Sequence, residues 1–270
     1  MAMELARVKL RGVYAAFAGA VLLIGIPLVE SLFLGQGYVN AVSQSEAHGA
    51  FGPLLTWAGQ HSGGDLALHI VELVPFLLAA MLPGALRRVL WPRGTTGGRL
   101  AALCGQIGFG LFALAVLVGI PTVGRAASDY LSAGTPAAAR RVAQGFADGF
   151  GVQNLMSHVI GGVLVAFFIA LVSVRIMRTP VFSRWLGYYG LLPAVLLGAT
   201  ALQYLGSLAQ IETPLSPITF AALAFWLLLV GVLLARVRGL PADALTTAPN
   251  TPKEAAATTS DASASAPNHQ

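Results

Sequence analysis

Residues 152–176 read VQNLMSHVIGGVLVAFFIALVSVRI, and Arg175 is the only fully charged side chain among them. About 20 mostly apolar residues are enough to cross the roughly 30 Å hydrocarbon core of a bilayer as a helix. Inside hydrocarbon every backbone N–H and C=O group must find a partner within the structure, and a helix satisfies them within a single segment. The stretch therefore predicts a transmembrane helix.

Five other segments of the chain share this length and composition. They cover residues 12–34, 66–86, 100–123, 186–209 and 218–235. Of the 270 residues, 56% are apolar and only 10% are charged, whereas soluble domains carry about a quarter charged residues. The sequence therefore predicts an all-α fold, a polytopic membrane helix bundle with six transmembrane helices within residues 1–240.

The basic residues are distributed unevenly between the two sides of this predicted bundle. Thirteen of the 16 Lys and Arg residues lie at the amino terminus, in the second and fourth loops and in the carboxyl-terminal tail. The other three loops hold only Arg125, Arg140 and Arg141. Because short basic loops stay in the cytoplasm, both termini are predicted to be cytoplasmic. The net charge of +5 is thereby explained by topology, with the lipid bilayer as partner and no nucleic acid.

Two of the predicted outer loops, residues 35–65 and 124–151, are long. Long loops are often functional. Within the second loop, residues 136–150 predict an amphipathic helix that has Phe146 and Phe150 on its apolar face. We expect this helix to lie on the outer surface or to cap the bundle.

The last part of the chain differs in composition from the rest. Residues 241–270 consist largely of Ala, Thr, Ser and Pro, which offer too little large apolar surface to fold. They predict a disordered cytoplasmic tail. The excess of Arg over Lys, 14 to 2, beside many Ala and Gly residues indicates a GC-rich bacterial genome. The predicted location is therefore the bacterial cytoplasmic membrane.

Seven polar side chains lie in the predicted spans near the outer surface. They are Glu30, His69, Glu72, Asn154, His158, Gln203 and Tyr204. An ionisable group at the centre of a transmembrane helix costs at least about 2.5 kcal/mol, so such groups usually face the protein interior and pair. His69 and Glu72 are three residues apart. Asn154 and His158 are four apart, so each pair shares one helix face. We predict one polar pocket that opens outward between spans one, two, four and five.

Three functions are compatible with such a pocket. The first is a non-enzymatic protein that binds or transports a small polar or cationic ligand, or a proton. The second is a membrane-embedded metal hydrolase with His69 and His158 as metal ligands and Glu72 as ligand or base. The third is a structural or assembly protein without a ligand, whose polar groups link helices by hydrogen bonds worth about 0.6 kcal/mol each.

Sequence motifs give the enzymatic hypothesis little support. Cys104 is the only cysteine, which excludes an intrachain disulfide and a CxxC motif. The common zinc-hydrolase, nucleotide, haem and serine-nucleophile motifs are absent from the chain. We therefore predict no cofactor and prefer the non-enzymatic binding or transport hypothesis.

Residues 158–206 read HVIGGVLVAFFIALVSVRIMRTPVFSRWLGYYGLLPAVLLGATALQYLG. This stretch joins two apolar spans through a short basic loop, RTP at 178–180, followed by RWLG at 184–187. It resembles a family of uncharacterised bacterial six-span membrane proteins, domain of unknown function 4386, although the proline lies nearer the start of the loop. The resemblance covers roughly a fifth of the chain. It implies the six-span fold and carries no chemistry.

Overall fold

The computed structural model describes residues 2–29, 34–48, 50–92, 94–206 and 215–237. About 90% of these residues are helical and none of them lies in a strand, which confirms the all-α fold class. Two features of the sequence, Glu30 and the predicted tail at 241–270, lie outside the described residues.

Six helical segments are long and apolar enough to cross a membrane. Spans one to six are Met3–Val29, Ser62–Leu90, Thr96–Leu131, Pro136–Met177, Arg184–Gly206 and Ser216–Ala235. Large apolar side chains point away from the bundle, such as Ile24, Val195 and Leu202, which are 63%, 69% and 70% exposed. Such surfaces are suited to lipid. The prediction of six helices long and apolar enough to span a membrane is confirmed.

The described residues form α-helices, and two π-helical turns lie within the described spans. The α-helices are α1 (Ala2–Ala20), α2 (Ile26–Val29), α3 (Gly35–His48), α4 (Gly52–Gln60), α5 (Ser62–Ala79), α6 (Leu82–Leu90), α7 (Thr96–Leu131), α8 (Pro136–Asn154), α9 (Gly162–Met177), α10 (Arg184–Gly206) and α11 (Ser216–Ala235). The first π-turn, Val21–Gly25, interrupts span one, and the second, Leu155–Gly161, interrupts span four. Each turn ends with an amide that bonds to the carbonyl five residues earlier. Such turns are rare in proteins overall, but those that occur are frequently located at functional sites.

The two regions predicted as long outer loops are largely helical. The first contains α3 and α4, and in the second α7 extends to Leu131 before α8 begins at Pro136. Thr135 caps α8 by accepting a hydrogen bond from the amide of Ala138 at 3.2 Å, and proline is favourable at the first helical position. With 36 residues, α7 is about 54 Å long. It therefore extends well beyond a hydrocarbon core of roughly 30 Å.

The parts of α7 and α8 that extend beyond the bundle enclose a hydrophobic core together with α3 and α4. This core is separate from the core of the bundle itself. Its buried residues are Leu34, Ala41, Phe51, Leu55, Trp57, Ala58, Leu68, Ala127 and Phe146. The ring of Phe51 lies 5.2 Å from that of Phe146 and 5.4 Å from that of Phe150. The predicted amphipathic helix is thus present and its apolar face is covered. We name α3, α4 and the parts of α7 and α8 around Ala127 and Phe146 the cap. The end of the bundle that carries the cap is the cap end.

Basic residues from separate parts of the chain meet at the opposite end of the bundle, which we name the arginine end. Arg88 forms an ion pair with Glu4, which links α6 to α1. Arg175 of α9 donates from Nε to the carbonyl of Leu90 at 2.9 Å. The loops with most of the positive charge therefore lie together.

Within the bundle, glycines allow close contact between helices. A Cβ atom built on Gly12 of α1 would lie 2.8 Å from the carbonyl oxygen of Gly231 in α11. A Cβ on Gly108 of α7 would lie 3.0 Å from the carbonyl oxygen of Gly161 in the second π-turn. In lipid, helices associate through such close packing rather than through the hydrophobic effect.

Candidate functional site

One face of α5 carries three ionisable side chains in succession. Asp65, His69, Glu72 and Phe76 occupy positions i, i+4, i+7 and i+11 of the helix, so they lie along one stripe. His69 is one turn beyond Asp65, and Glu72 is about one turn beyond His69. We name Asp65, His69 and Glu72 the ionisable file. It runs from the cap end towards the middle of the bundle.

This face of α5 is directed at α7. A Cβ atom built on Gly119 would lie 3.4 Å from Nε2 of His69. Two turns further along α7, the ring of Phe112 stacks on Phe76 with centroids 5.0 Å apart. Glu72 lies on the stripe between these two contacts and is half-buried. The ionisable file therefore faces into the bundle and away from lipid.

The hydrogen bonds of His69 indicate which of its nitrogens accepts a proton. His69 donates from Nδ1 to the backbone carbonyl of Asp65 at 2.8 Å, and the Asp65 carboxylate oxygen Oδ2 lies 3.7 Å from the same nitrogen. A carbonyl only accepts, so Nδ1 carries the hydrogen and Nε2 of the neutral ring carries the lone pair. The side chains are 16% and 14% exposed, and Nε2 points towards Gly119.

Gln153 lies beside His69 and was not among the residues predicted from sequence. Its Nε2 donates to the carbonyl of Ala115 at 2.8 Å and lies 3.2 Å from the position of a Gly119 Cβ. The amide of span four and the imidazole of span two therefore share the space left by Gly119. Asp65 was also missed, because it falls at the end of a predicted loop. Its position four residues before His69 was the available signal.

His158 lies deeper, among aromatic rings. The ring of Tyr204 stacks on its imidazole with centroids 4.4 Å apart and planes at 11°. Phe112 and Phe220 approach nearly perpendicular to it, at 5.6 and 6.0 Å. Together with Phe76, these side chains come one each from spans two to six. We name Phe76, Phe112, His158, Tyr204 and Phe220 the aromatic layer.

The structure thus places the predicted site residues at two levels. His69 contacts α7 at Gly119 and His158 contacts it at Phe112, which are about 10 Å apart along the helix. The axial position of Glu72 lies between them. The remaining predicted residues of spans four and five are Asn154, which is buried, and Gln203, whose Oε1 is buried without a hydrogen bond from the described residues.

No family model, no curated protein and no solved structure matches this chain. The resemblance of residues 158–206 to the family named above stays a prediction.

The metal-hydrolase hypothesis requires a cluster of ligands. Within the described ranges, no group of three or more His, Cys, Asp or Glu side chains has the arrangement to hold a metal ion. His69, Glu72 and His158 are all described, so they do not form the metal site proposed for them from sequence.

The ionisable file combines two kinds of side chain that can bind a proton, carboxylate and imidazole. Two carboxylates and one imidazole alternate along the stripe, and the side chain beside His69 at Gly119 is the neutral Gln153. Other charged groups at the cap end, Arg125 and Asp129 of α7 and Arg140, Arg141 and Asp148 of α8, are exposed. His61, which precedes α5, stacks on Trp57 with centroids 4.9 Å apart. An inward-facing file of this kind in a membrane helix is by default a functional site.

Proposed function

We propose that this chain is a multi-pass protein of the bacterial cytoplasmic membrane, with both termini in the cytoplasm and the cap outside. The positive-inside rule supports this orientation, because 13 of the 16 Lys and Arg residues belong to the amino terminus, the arginine-end loops or the tail. The cap end carries the other three basic residues. The length of α7 also allows the cap to lie outside the hydrocarbon.

Reporter fusions test the orientation. A fusion after Leu240 should report cytoplasm, because span six ends at the arginine end, which is proposed to be cytoplasmic. A fusion near Trp57, in the cap, should report the outside. Alkaline phosphatase, active only outside, and green fluorescent protein, fluorescent only inside, give opposite readings for each site. A phosphatase signal from the tail fusion would contradict the proposed topology.

Within this membrane arrangement, the protein binds protons taken up from the outer side. The ionisable file carries the proposal, because Asp65, His69 and Glu72 begin beneath the cap and continue inward on one face of α5. The Nδ1 bond of His69 directs its proton-accepting nitrogen into the bundle. A neutral imidazole binds a proton at its lone-pair nitrogen, and a carboxylate binds one at an oxygen.

A pH-jump experiment tests proton binding. Purified protein in detergent is moved from about pH 8 to about pH 5, and a pH-sensitive dye reports the number of protons taken up. The double variant Asp65→Asn with Glu72→Gln should take up fewer protons than the wild type, because two carboxylates on the inward face of α5 have become neutral amides of nearly the same shape.

The matched control for this experiment is Asp129→Asn. It makes the same change at an exposed site on α7 and leaves the ionisable file unchanged. The control should therefore take up as many protons as the wild type. Equal uptake by the wild type and the double variant would contradict proton binding by the file.

A further inference from the structure

One face of span two stays exposed as the span approaches the arginine end. Leu77 and Met81 are 50% and 45% exposed, and Gly84 of α6 follows them on the same face, because residues three or four apart share a face. The residues on either side of Gly84, Pro83 and Ala85, are buried. Here α6 packs against both α1 and α7. Gly84 therefore lies on the lipid-facing side of α6, between these two helices.

Gly84 leaves a gap at which polar groups from two other spans meet. A Cβ atom built on Gly84 would lie 3.0 Å from Nη1 of Arg11 in α1 and 3.8 Å from Nε2 of Gln106 in α7. Arg11 is half-buried and Gln106 is exposed, so a molecule in the lipid phase can reach both side chains. Guanidinium groups only donate hydrogen bonds, and the amide nitrogen of Gln106 is a donor as well. We name Arg11, Gly84 and Gln106 the Gly84 notch.

The positive charge of Arg11 is not matched by an acid. Its guanidinium forms no hydrogen bond and no ion pair with any residue that the structure describes. Glu4, the one described acid at the arginine end, contacts Arg7 and Arg88 instead. An arginine in a membrane span normally pairs with an acid or with carbonyl groups. The Gly84 notch therefore has donors available for an anion from outside the chain.

The arginine end as a whole attracts anions. Apart from Glu4, its charged side chains within the described ranges are all basic. They are Arg7, Lys9, Arg11, Arg87, Arg88, Arg99, Arg175, Arg178, Arg184 and Arg236. Arg87, which is one turn beyond Gly84 on α6, is half-buried. Basic residues next to membrane spans attract anionic lipids.

The Gly84 notch lies at the depth where the head groups of a bilayer meet its hydrocarbon. The apolar segment of span one begins directly after Arg11, and that of span two ends at Leu86, two residues beyond Gly84. In the opposite direction, Leu77 and Met81 continue the exposed apolar face of span two. A phospholipid at this place has its phosphate beside the notch and an acyl chain on the apolar face.

We propose that the Gly84 notch binds the phosphate group of an anionic phospholipid. The guanidinium of Arg11 donates two parallel hydrogen bonds to phosphate oxygens, a geometry for which arginine is suited, and Gln106 donates a third. Basic pockets between transmembrane helices bind lipid head groups in this way. A zwitterionic lipid is a poorer ligand, because its own ammonium group neutralises the phosphate. The inference requires a bilayer around the spans and is independent of proton binding by the ionisable file.

Lipid binding to the purified protein tests this inference. Delipidated protein in an uncharged detergent is titrated with phosphatidylglycerol, and native mass spectrometry gives the Kd of the first bound lipid. Arg11→Gln should raise this Kd about tenfold, the usual effect of losing a charge-assisted hydrogen bond. The matched control is Arg184→Gln, which removes the same charge from an exposed site on α10 and should leave the Kd unchanged.

A second variant separates the notch from the net charge. Gly84→Leu keeps every charged group and places a side chain where Nη1 of Arg11 and the amide of Gln106 now meet, so it should raise the Kd by a similar factor. This variant decides the question if Arg11→Gln does not fold. Equal Kd values for the wild type and Gly84→Leu, or equal changes in Arg11→Gln and Arg184→Gln, would overturn the inference.

Two further titrations identify the ligand. Phosphatidylcholine with the same acyl chains should bind the wild type more weakly than phosphatidylglycerol does. Inorganic phosphate at the same concentration as the lipid should not displace phosphatidylglycerol, because it has no acyl chain to lie on span two. Equal binding of the two lipids would contradict selection of an anion. Displacement by inorganic phosphate would show that the notch takes free phosphate, which would also reject the proposal.

Discussion

Gly231→Val is expected to destabilise the protein by about 3 kcal/mol, the upper part of the usual range for overpacking. The Cβ of any residue at this position would lie 2.6 Å from the carbonyl oxygen of Gly12 and 2.8 Å from Cα of Ala16. Both are backbone atoms, so they cannot move aside by a change of side-chain rotamer. The helices α1 and α11 must therefore separate, and van der Waals contact is lost along their whole interface.

Thermal unfolding of the purified variants in one detergent measures this effect. Gly110→Val is the matched control, since no atom lies within 4 Å of a Cβ built on Gly110. The two variants share the same change in helix propensity and differ in the neighbouring helix. Equal shifts of Tm for both would mean that contact between α1 and α11 is not what Gly231 provides.

Phe51→Ala is expected to open the cap, with a loss of about 3–5 kcal/mol for its local stability. Phe51 is 4% exposed and contacts the rings of Phe146 and Phe150. If the cap lies in water as proposed, the hydrophobic effect acts on these rings. The truncation therefore costs transfer free energy as well as packing contacts.

Hydrogen exchange of the α4 amides, Gly52–Gln60, reports this opening. We expect faster exchange in Phe51→Ala than in the wild type, while the amides of α9 stay protected. Phe167→Ala is the control, because Phe167 is 45% exposed on the lipid-facing side of α9. Unchanged exchange in α4 would show that the aromatic contacts do not hold the cap together.

The spans were predictable because backbone hydrogen bonding in lipid leaves few alternatives to a helix. The ends of the spans were harder to predict. Apolar composition placed the end of span three at residue 123, whereas α7 continues to Leu131. Hydropathy detects where lipid ends, but a helix can continue into water beyond that point. The next helix, α8, starts at the capping residue Thr135.

The file was partly predictable, because the helical period alone places His69 and Glu72 on one face. Periodicity gives no information about the partner helix. That Gly119 would make room for His69, and that Gln153 would enter the same space, depends on how α5, α7 and span four pack. The nearby Asn154 was chosen instead on its spacing from His158.

The aromatic layer was not predictable in the same way. Phe76, Phe112 and Phe220 are three of 13 phenylalanines, each within an apolar span where Phe is ordinary. Only their meeting across separate spans distinguishes them. His158 was identified from its cost in lipid, but its neighbours were expected to be polar and are mostly aromatic.

The second π-turn sets how far α8 is rotated relative to α9 about the axis of span four. Each residue of an α-helix advances the side chains by about 100°, and a π-turn contains one residue more than an α-helix needs. Deleting one residue from Leu155–Gly161 would leave a continuous α-helix and rotate α8 by about that angle relative to α9. Phe146 would then face away from Phe51. The extra residue thus sets the rotation at which a single helix matches the cap with one part and the bundle with the other.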